Sequence, residues 1–182
     1  MPDFPYINVE FKILVYYFYM EVIMKTYLKI IALVFTIFTL TAYSQWTLCP
    51  GSGSITGLGI NPVISVADFN NIAVAGGSPG SPRIYLTTNG GNNFVNITGN
   101  LSGPELFAVN IRNSNLIFVG DGGANGGAGG NAKVWKTTNM GVNWSVVLTT
   151  GGSAGFINGI RFAQSNNNTG IIVSDGPAGA GI

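Results

Sequence analysis

The chain has 182 residues, of which only 8% are charged, for a net charge of +1, with one cysteine and no histidine. Without imidazole there is no Ser-His-Asp or Cys-His nucleophile system and no histidine metal site, and Cys49 alone builds neither an internal disulfide nor a zinc centre. No Lys/Arg stripe addresses nucleic acid. With 27 glycines and so few charges, the outer polarity rests on Asn, Ser, Thr and backbone, as on a near-neutral secreted protein.

In chain order, the first recognisable element begins at Met24. Met24–Lys29 is short and cationic, Ile30–Leu40 (IIALVFTIFTL) is an apolar core, and Thr41–Ser44 supplies small residues. Ala42 and Ser44 take the −3 and −1 places if cleavage falls before Gln45. This is the order of a secretory leader, and the apolar run is short for a membrane span. Residues 24–44 are therefore expected to be a signal peptide with a helical core, the alternative being an uncleaved anchor. Residues 1–23 read as an upstream extension ahead of the true start. The rival is a membrane hairpin of Phe11–Tyr19 and Ile30–Leu40, both short for spanning. Residues 45–54 form the mature N-terminal segment. Cys49 follows QWTL, which lacks the small residues of a lipoprotein cleavage site.

From Ile55 onward short apolar runs alternate with Gly, Asn, Ser and Pro, and β-branched and aromatic residues fill the runs. That pattern predicts an all-β fold. Expected strands are 64–68, 71–75, 83–88 and 94–98, then 106–111, 116–119, 133–138 and 144–148, then 159–162 and 170–174. The runs repeat. Ile72–Gly77, Ile117–Gly122 and Ile171–Gly176 correspond, as do Arg83–Asn89 and Lys133–Asn139. Thr87 and Thr137 stand 50 residues apart, a period that carries the four short strands of one propeller blade. On that count residues 55–182 hold about two and a half blades. Blades bury their faces only against neighbours, so the chain reads as the N-terminal part of a longer propeller whose remaining blades complete it.

Two polar turns punctuate the repeat: Thr87-Thr-Asn-Gly-Gly-Asn-Asn-Phe94 and Thr137-Thr-Asn-Met-Gly-Val-Asn-Trp144. Asn89 and Asn139 can accept backbone N–H bonds inside the turn, and Gly91 and Gly141 can adopt positive φ. The hydroxyls of Thr87 and Thr137 can tie back to backbone, while Phe94 and Trp144 fill the gap between sheets. The pattern resembles the Asp-box, or bacterial neuraminidase repeat, with Asn in the acidic position. In style the chain is most similar to photosystem II assembly- and stability-factor-like secreted bacterial proteins. The resemblance implies a β-propeller whose boxes lie in the hairpin between the third and fourth strands and are structural. It also implies a rigid platform whose loops bind protein or glycan, at the surface or outside of a Gram-negative bacterium.

Chemistry is sparse. A sialidase would bring an arginine triad, a Tyr/Glu pair and an acid/base Asp. Here Arg83, Arg112 and Arg161 occur one per repeat and read as ordinary strand or turn residues, and Glu105 is the one glutamate after the leader. Asp121 and Asp175 end corresponding strands and could form a carboxylate pair, though each reads first as a turn-capping residue. The loop Gly120–Ala132 (GDGGANGGAGGNA) lacks the register and surroundings of a nucleotide-phosphate loop. No catalytic, cofactor or metal residue is assigned. The expected function is a non-catalytic exported binding platform for a protein or glycan, touching membrane only through its leader. The alternative is the N-terminal part of a sialidase-like or other glycoside hydrolase whose catalytic residues lie in further blades.

Overall fold

The computed structural model describes residues 9–40, 47–123, 131–151, 155–163 and 168–175. The chain divides into a unit ending at Thr47 and a β-rich unit from Leu48 onward. In the first, one helix, α1 (Val9–Leu40), covers both apolar runs. The helical hairpin is therefore not formed. No Gly or Pro lies within these residues to break the helix, and Glu21 and Lys25 join in a 2.5 Å ion pair at i,i+4 spacing close to the junction. Thr26 Oγ1 also donates to the Val22 carbonyl at 2.8 Å. Among the described residues no helix is long and apolar enough to cross a membrane. The cleavage site expected around Ala42–Gln45 lies outside the described residues.

The second unit is built of antiparallel sheets, as the alternation of β-branched runs and turns requires. β1 (Val63–Val66), β2 (Ile72–Ser78), β3 (Ser81–Thr87) and β4 (Val95–Asn96) form one sheet in chain order. β5 (Leu106–Ile111), β6 (Ile117–Asp121), β7 (Lys133–Thr137) and β8 (Ser145–Thr149) form a second, and β9 (Ile157–Phe162) pairs with β10 (Gly170–Ser174) in a third. The registers match: Ile72 faces Thr87 as Ile117 faces Thr137, and Leu86 faces Val95 as Lys136 faces Ser145.

Element boundaries differ from expectation where side chains compete with the ladder. β4 keeps two residues of the five expected. Thr98 Oγ1 takes the Ile84 N–H at 3.2 Å, and the Thr98 N–H turns to Asn96 Oδ1 at 2.9 Å. β6 runs on to Asp121, so the glycine loop begins at Gly122 rather than Gly120, and its residues 124–130 lie outside the described ones.

Packing explains why the middle sheet is the most apolar. One of its faces, with Val109, Ile111, Ile117 and Val119, joins Ala73, Ala75, Ile84 and Leu86 of the first sheet in a common core. Its other face, with Ala108, Phe118 and Val134, packs on Ile157 and Ile160 of β9. Every residue of β6 is buried in consequence. Gly120 stands where β6 meets β9, and a methyl there would overlap the Ile157 side chain. Gly120→Ala is expected to lower stability by about 1–3 kcal/mol through overpacking. Gly159→Ala, which meets only open space, should change it by less than about 0.5 kcal/mol in the same urea titration.

The turns between the first and second strands also repeat. Asp68 Oδ1 accepts from the Asn70 and Asn71 backbone amides at 2.8 and 2.9 Å, as Asn113 Oδ1 accepts from Asn115 and Leu116 at 3.0 and 2.8 Å. The Asn71 side chain, followed by these backbone amides, holds the Asp68 carboxyl below its ordinary value of 3.8. A depressed folded value means that the turn gains support above pH 3.8 and loses it as pH falls through the folded value. The Asn70 and Asn71 amide resonances should titrate together in that acidic window. Asp68→Asn should abolish the titration while leaving the turn intact.

Candidate functional site

The two box turns are built alike. Thr87 Oγ1 donates to Asn89 Oδ1 at 2.9 Å and accepts from the Asn89 and Gly91 amides at 3.3 and 2.9 Å. Asn89 Oδ1 then accepts from the Asn93 amide at 3.0 Å. In the second turn Thr137 Oγ1 donates to Asn139 Oδ1 at 2.9 Å and accepts from Asn139 and Gly141 at 3.2 and 3.0 Å, and Asn143 donates to Asn139 Oδ1 at 3.0 Å. Both threonines are buried, so a single hydroxyl satisfies two inward amides without bringing in a charge. Gly91 and Gly141 take φ of 86° and 79°.

The aromatic ends differ. Trp144 is buried in the core shared by the first two sheets; its Nε1 donates to the Ile97 carbonyl at 3.0 Å. Asn100 clasps its backbone, with Oδ1 accepting from Trp144 N at 2.7 Å and Nδ2 donating to Trp144 O at 3.2 Å. Phe94 does not fill such a gap. It is half-buried, outside either core, and its carbonyl accepts from Ser54 Oγ at 3.3 Å. The turns are thus locks. Thr137→Val strands two inward amides and should cost about 2–4 kcal/mol. Met140 sits at φ 56°, where the first turn has Gly90 at 65°, so Met140→Gly should gain about 1 kcal/mol. Paired denaturant titrations of the two variants check both signs.

The feature with the makings of a site lies elsewhere, along the first strand of each sheet. An open cleft of about 600 Å³ is lined by β1, β5 and β9. Ser65, Asn110 and Arg161 occupy one register position in the three strands, each the next-to-last residue, opposite Ala73, Phe118 and Ile171. Ser65 and Asn110 stitch the strands together. Ser65 Oγ accepts from the Ile111 amide at 3.2 Å, and Asn110 Nδ2 donates to the Ile160 carbonyl at 3.2 Å. Asn110 is 8% exposed, and its Oδ1 has no hydrogen-bond partner. An unfilled acceptor that deep is unusual, because a buried carbonyl normally finds a donor.

Two guanidiniums join it. Arg161 Nη1 donates to the Ile160 carbonyl at 2.9 Å, and Arg112 Nη2 to the Ala163 carbonyl at 3.1 Å, with the Arg112 guanidinium 5.8 Å from the centre of the Phe162 ring. No carboxylate is among the lining residues. The three arginines are not repeat equivalents. Arg112 lies one residue beyond β5, Arg161 inside β9, and Arg83 on β3, packed along Gly57 and donating to the Pro82 carbonyl. Arg83 does not line the cleft.

Nor do Asp121 and Asp175 share a hydrogen-bond network. Asp121, 2% exposed, accepts from Gly123 N, Lys133 N and Trp135 Nε1 at 3.0, 2.7 and 2.9 Å and so clamps both ends of the glycine loop. Asp175 is exposed and accepts from Asn158 Nδ2, while its amide donates to the Phe156 carbonyl. Glu105 serves through its carbonyl, which takes the Gly122 amide at 3.1 Å. Among the described residues no group of three or more Cys, Asp or Glu could hold a metal ion. Cys49 is a free, half-buried thiol whose Sγ donates to the Gly91 carbonyl at 3.2 Å.

No family model, no curated protein and no solved structure matches the chain.

Proposed function

We propose that this chain is part of an exported β-propeller of the Asp-box type, acting as a non-catalytic platform that binds a protein or glycan through the cleft at its first strands. The cleft carries the reading: two guanidiniums and an unfilled amide carbonyl gather there with no carboxylate lining beside them. The guanidiniums can hold an anionic group, but the lining offers no acid–base pair for glycoside hydrolysis. The ring architecture is supported by the two matched four-stranded sheets, the shared box turns and the packing of each sheet on the next. Export is supported by the order of charged, apolar and small residues in 24–44.

The test uses an acidic and a neutral oligosaccharide, oligogalacturonate and cello-oligosaccharide, with binding read by calorimetry and turnover by reducing-end release. Binding of the acidic oligosaccharide without turnover is expected. Arg161→Ala should weaken it about tenfold, in line with the loss of a charged hydrogen bond, with no change in melting temperature. Turnover abolished by Asp121→Asn or Asp175→Asn would replace the platform reading with a glycosidase.

A further inference from the structure

Two phenylalanines stand outside both cores. Phe107 and Phe156 are each half-buried, and their rings meet edge to face with centroids 4.5 Å apart. They lie on the backbone of Gly122, where a Cβ would come within 2.6 Å of the Phe107 ring and 3.1 Å of the Phe156 ring. Phe156 also holds Asp175, since its carbonyl accepts the Asp175 amide at 3.0 Å. The Asp175 carboxylate in turn accepts from Asn158 Nδ2, and both of these side chains are exposed. One patch therefore carries an aromatic pair, a carboxamide and a carboxylate.

An irregularity of the backbone presents two of them. In β5, Leu106 faces Asp121 and Ala108 faces Gly120, so Phe107 has no partner in β6. In β9, Ile157 faces Ser174 and Gly159 faces Val173, so Asn158 has no partner in β10. Each is the second residue of its strand, and the same bulge thus recurs in consecutive sheets. A bulge takes its extra residue out of the ladder's alternation and re-aims the side chain, a device frequent beside active sites. Phe107 on its own would read as a plug over Gly122. Asn158 and Asp175 are exposed and fill no gap.

The chemistry of the patch selects its ligand. Asn158 Nδ2 occupies one Asp175 oxygen, which leaves the other oxygen and Asn158 Oδ1 as acceptors. None of the four side chains is cationic, so the patch differs from the cleft of Arg112 and Arg161 and does not rest on it. Its ligand has to donate from adjacent hydroxyls and to offer an apolar face to a phenyl ring. We propose that Phe107, Phe156, Asn158 and Asp175 form a binding site for a neutral hexose of the galactoside type. A galactoside sets an axial 4-hydroxyl beside its 3-hydroxyl, and its opposite face is a continuous run of C–H groups. A glucoside divides those C–H groups between its two faces.

The test adds lactose to the full chain up to ~20 mM, with cellobiose as the epimeric control, and follows the backbone amides by NMR. Lactose should shift Gly122, Asn158 and Asp175 and saturate with a Kd of about 1–5 mM. Phe107→Leu keeps an apolar group on Gly122 but loses the ring, and Asp175→Asn removes the charge from an exposed side chain. Each should raise the Kd by about tenfold at an unchanged melting temperature, whereas Arg161→Ala should leave it as it was. Should Phe107→Leu fail to fold, Asp175→Asn carries the same test. Absence of any shift overturns the proposal, as does equal affinity for cellobiose or an unchanged Kd in Asp175→Asn. Shifts confined to the cleft, or lost in Arg161→Ala, would place the sugar among the guanidiniums and equally overturn it.

Discussion

Everything in the β unit depends on a neutral lock at the end of the third strand. Thr137 Oγ1 sits buried with one donor and two acceptor positions to use. It gives its proton to Asn139 Oδ1 and receives the amides of Asn139 and Gly141. A charged residue would have to be desolvated there, whereas the hydroxyl satisfies the turn at little electrostatic penalty. This is how a chain with so few charges can order sharp turns. The lock also sets the backbone of Gly141, and with it the place where the Gly99 backbone approaches. A side chain at either glycine would overlap the other strand's carbonyl. Trp144 then reaches the Ile97 carbonyl and closes the core shared by the first two sheets.

Much of this is legible in the sequence. The turns were readable because threonine, asparagine and glycine each have a distinct local role at that spacing. The strands were readable because β-branched runs alternate with Gly and Asn. What escaped notice has physical causes. β4 shrank because Thr98 and Asn96 bond locally, a competition invisible to periodicity. Phe94 matches Trp144 by position, yet among the described residues no neighbouring sheet buries it as one buries Trp144. The cleft escaped because Ser65, Asn110 and Arg161 differ in chemistry while sharing one register position, and only pairing reveals that they align.

Equivalent positions in a repeat need not keep equivalent roles, and the two aspartates show why. Asp121 is enclosed by three donors from Gly123, Lys133 and Trp135, which commits its carboxylate to holding a loop. Asp175 follows β10, whose sheet has two members among the described residues, and it is exposed. The arginines are not repeat equivalents at all: Arg83 lies on β3, Arg112 just beyond β5 and Arg161 inside β9. Being carried once per repeat suggested ordinary structural residues, but only Arg112 and Arg161 line the cleft.

The cleft and the locks therefore divide the labour of the polar residues. In the turns the Thr87 and Thr137 hydroxyls and the Asn89 and Asn139 amide oxygens are committed to the backbone and to each other, and those groups have little left to offer a ligand. At the first strands the matching is incomplete. Asn110 spends its amide nitrogen on the Ile160 carbonyl and keeps a buried oxygen unfilled, beside the Arg161 guanidinium, which holds more donors than its backbone partner uses. A buried acceptor without a donor is a standing free-energy cost of roughly 1–3 kcal/mol. A guanidinium with donors to spare beside this amide is what recognition can draw on, and this combination, more than the box that first marks the sequence, underlies the binding role proposed for the first-strand face.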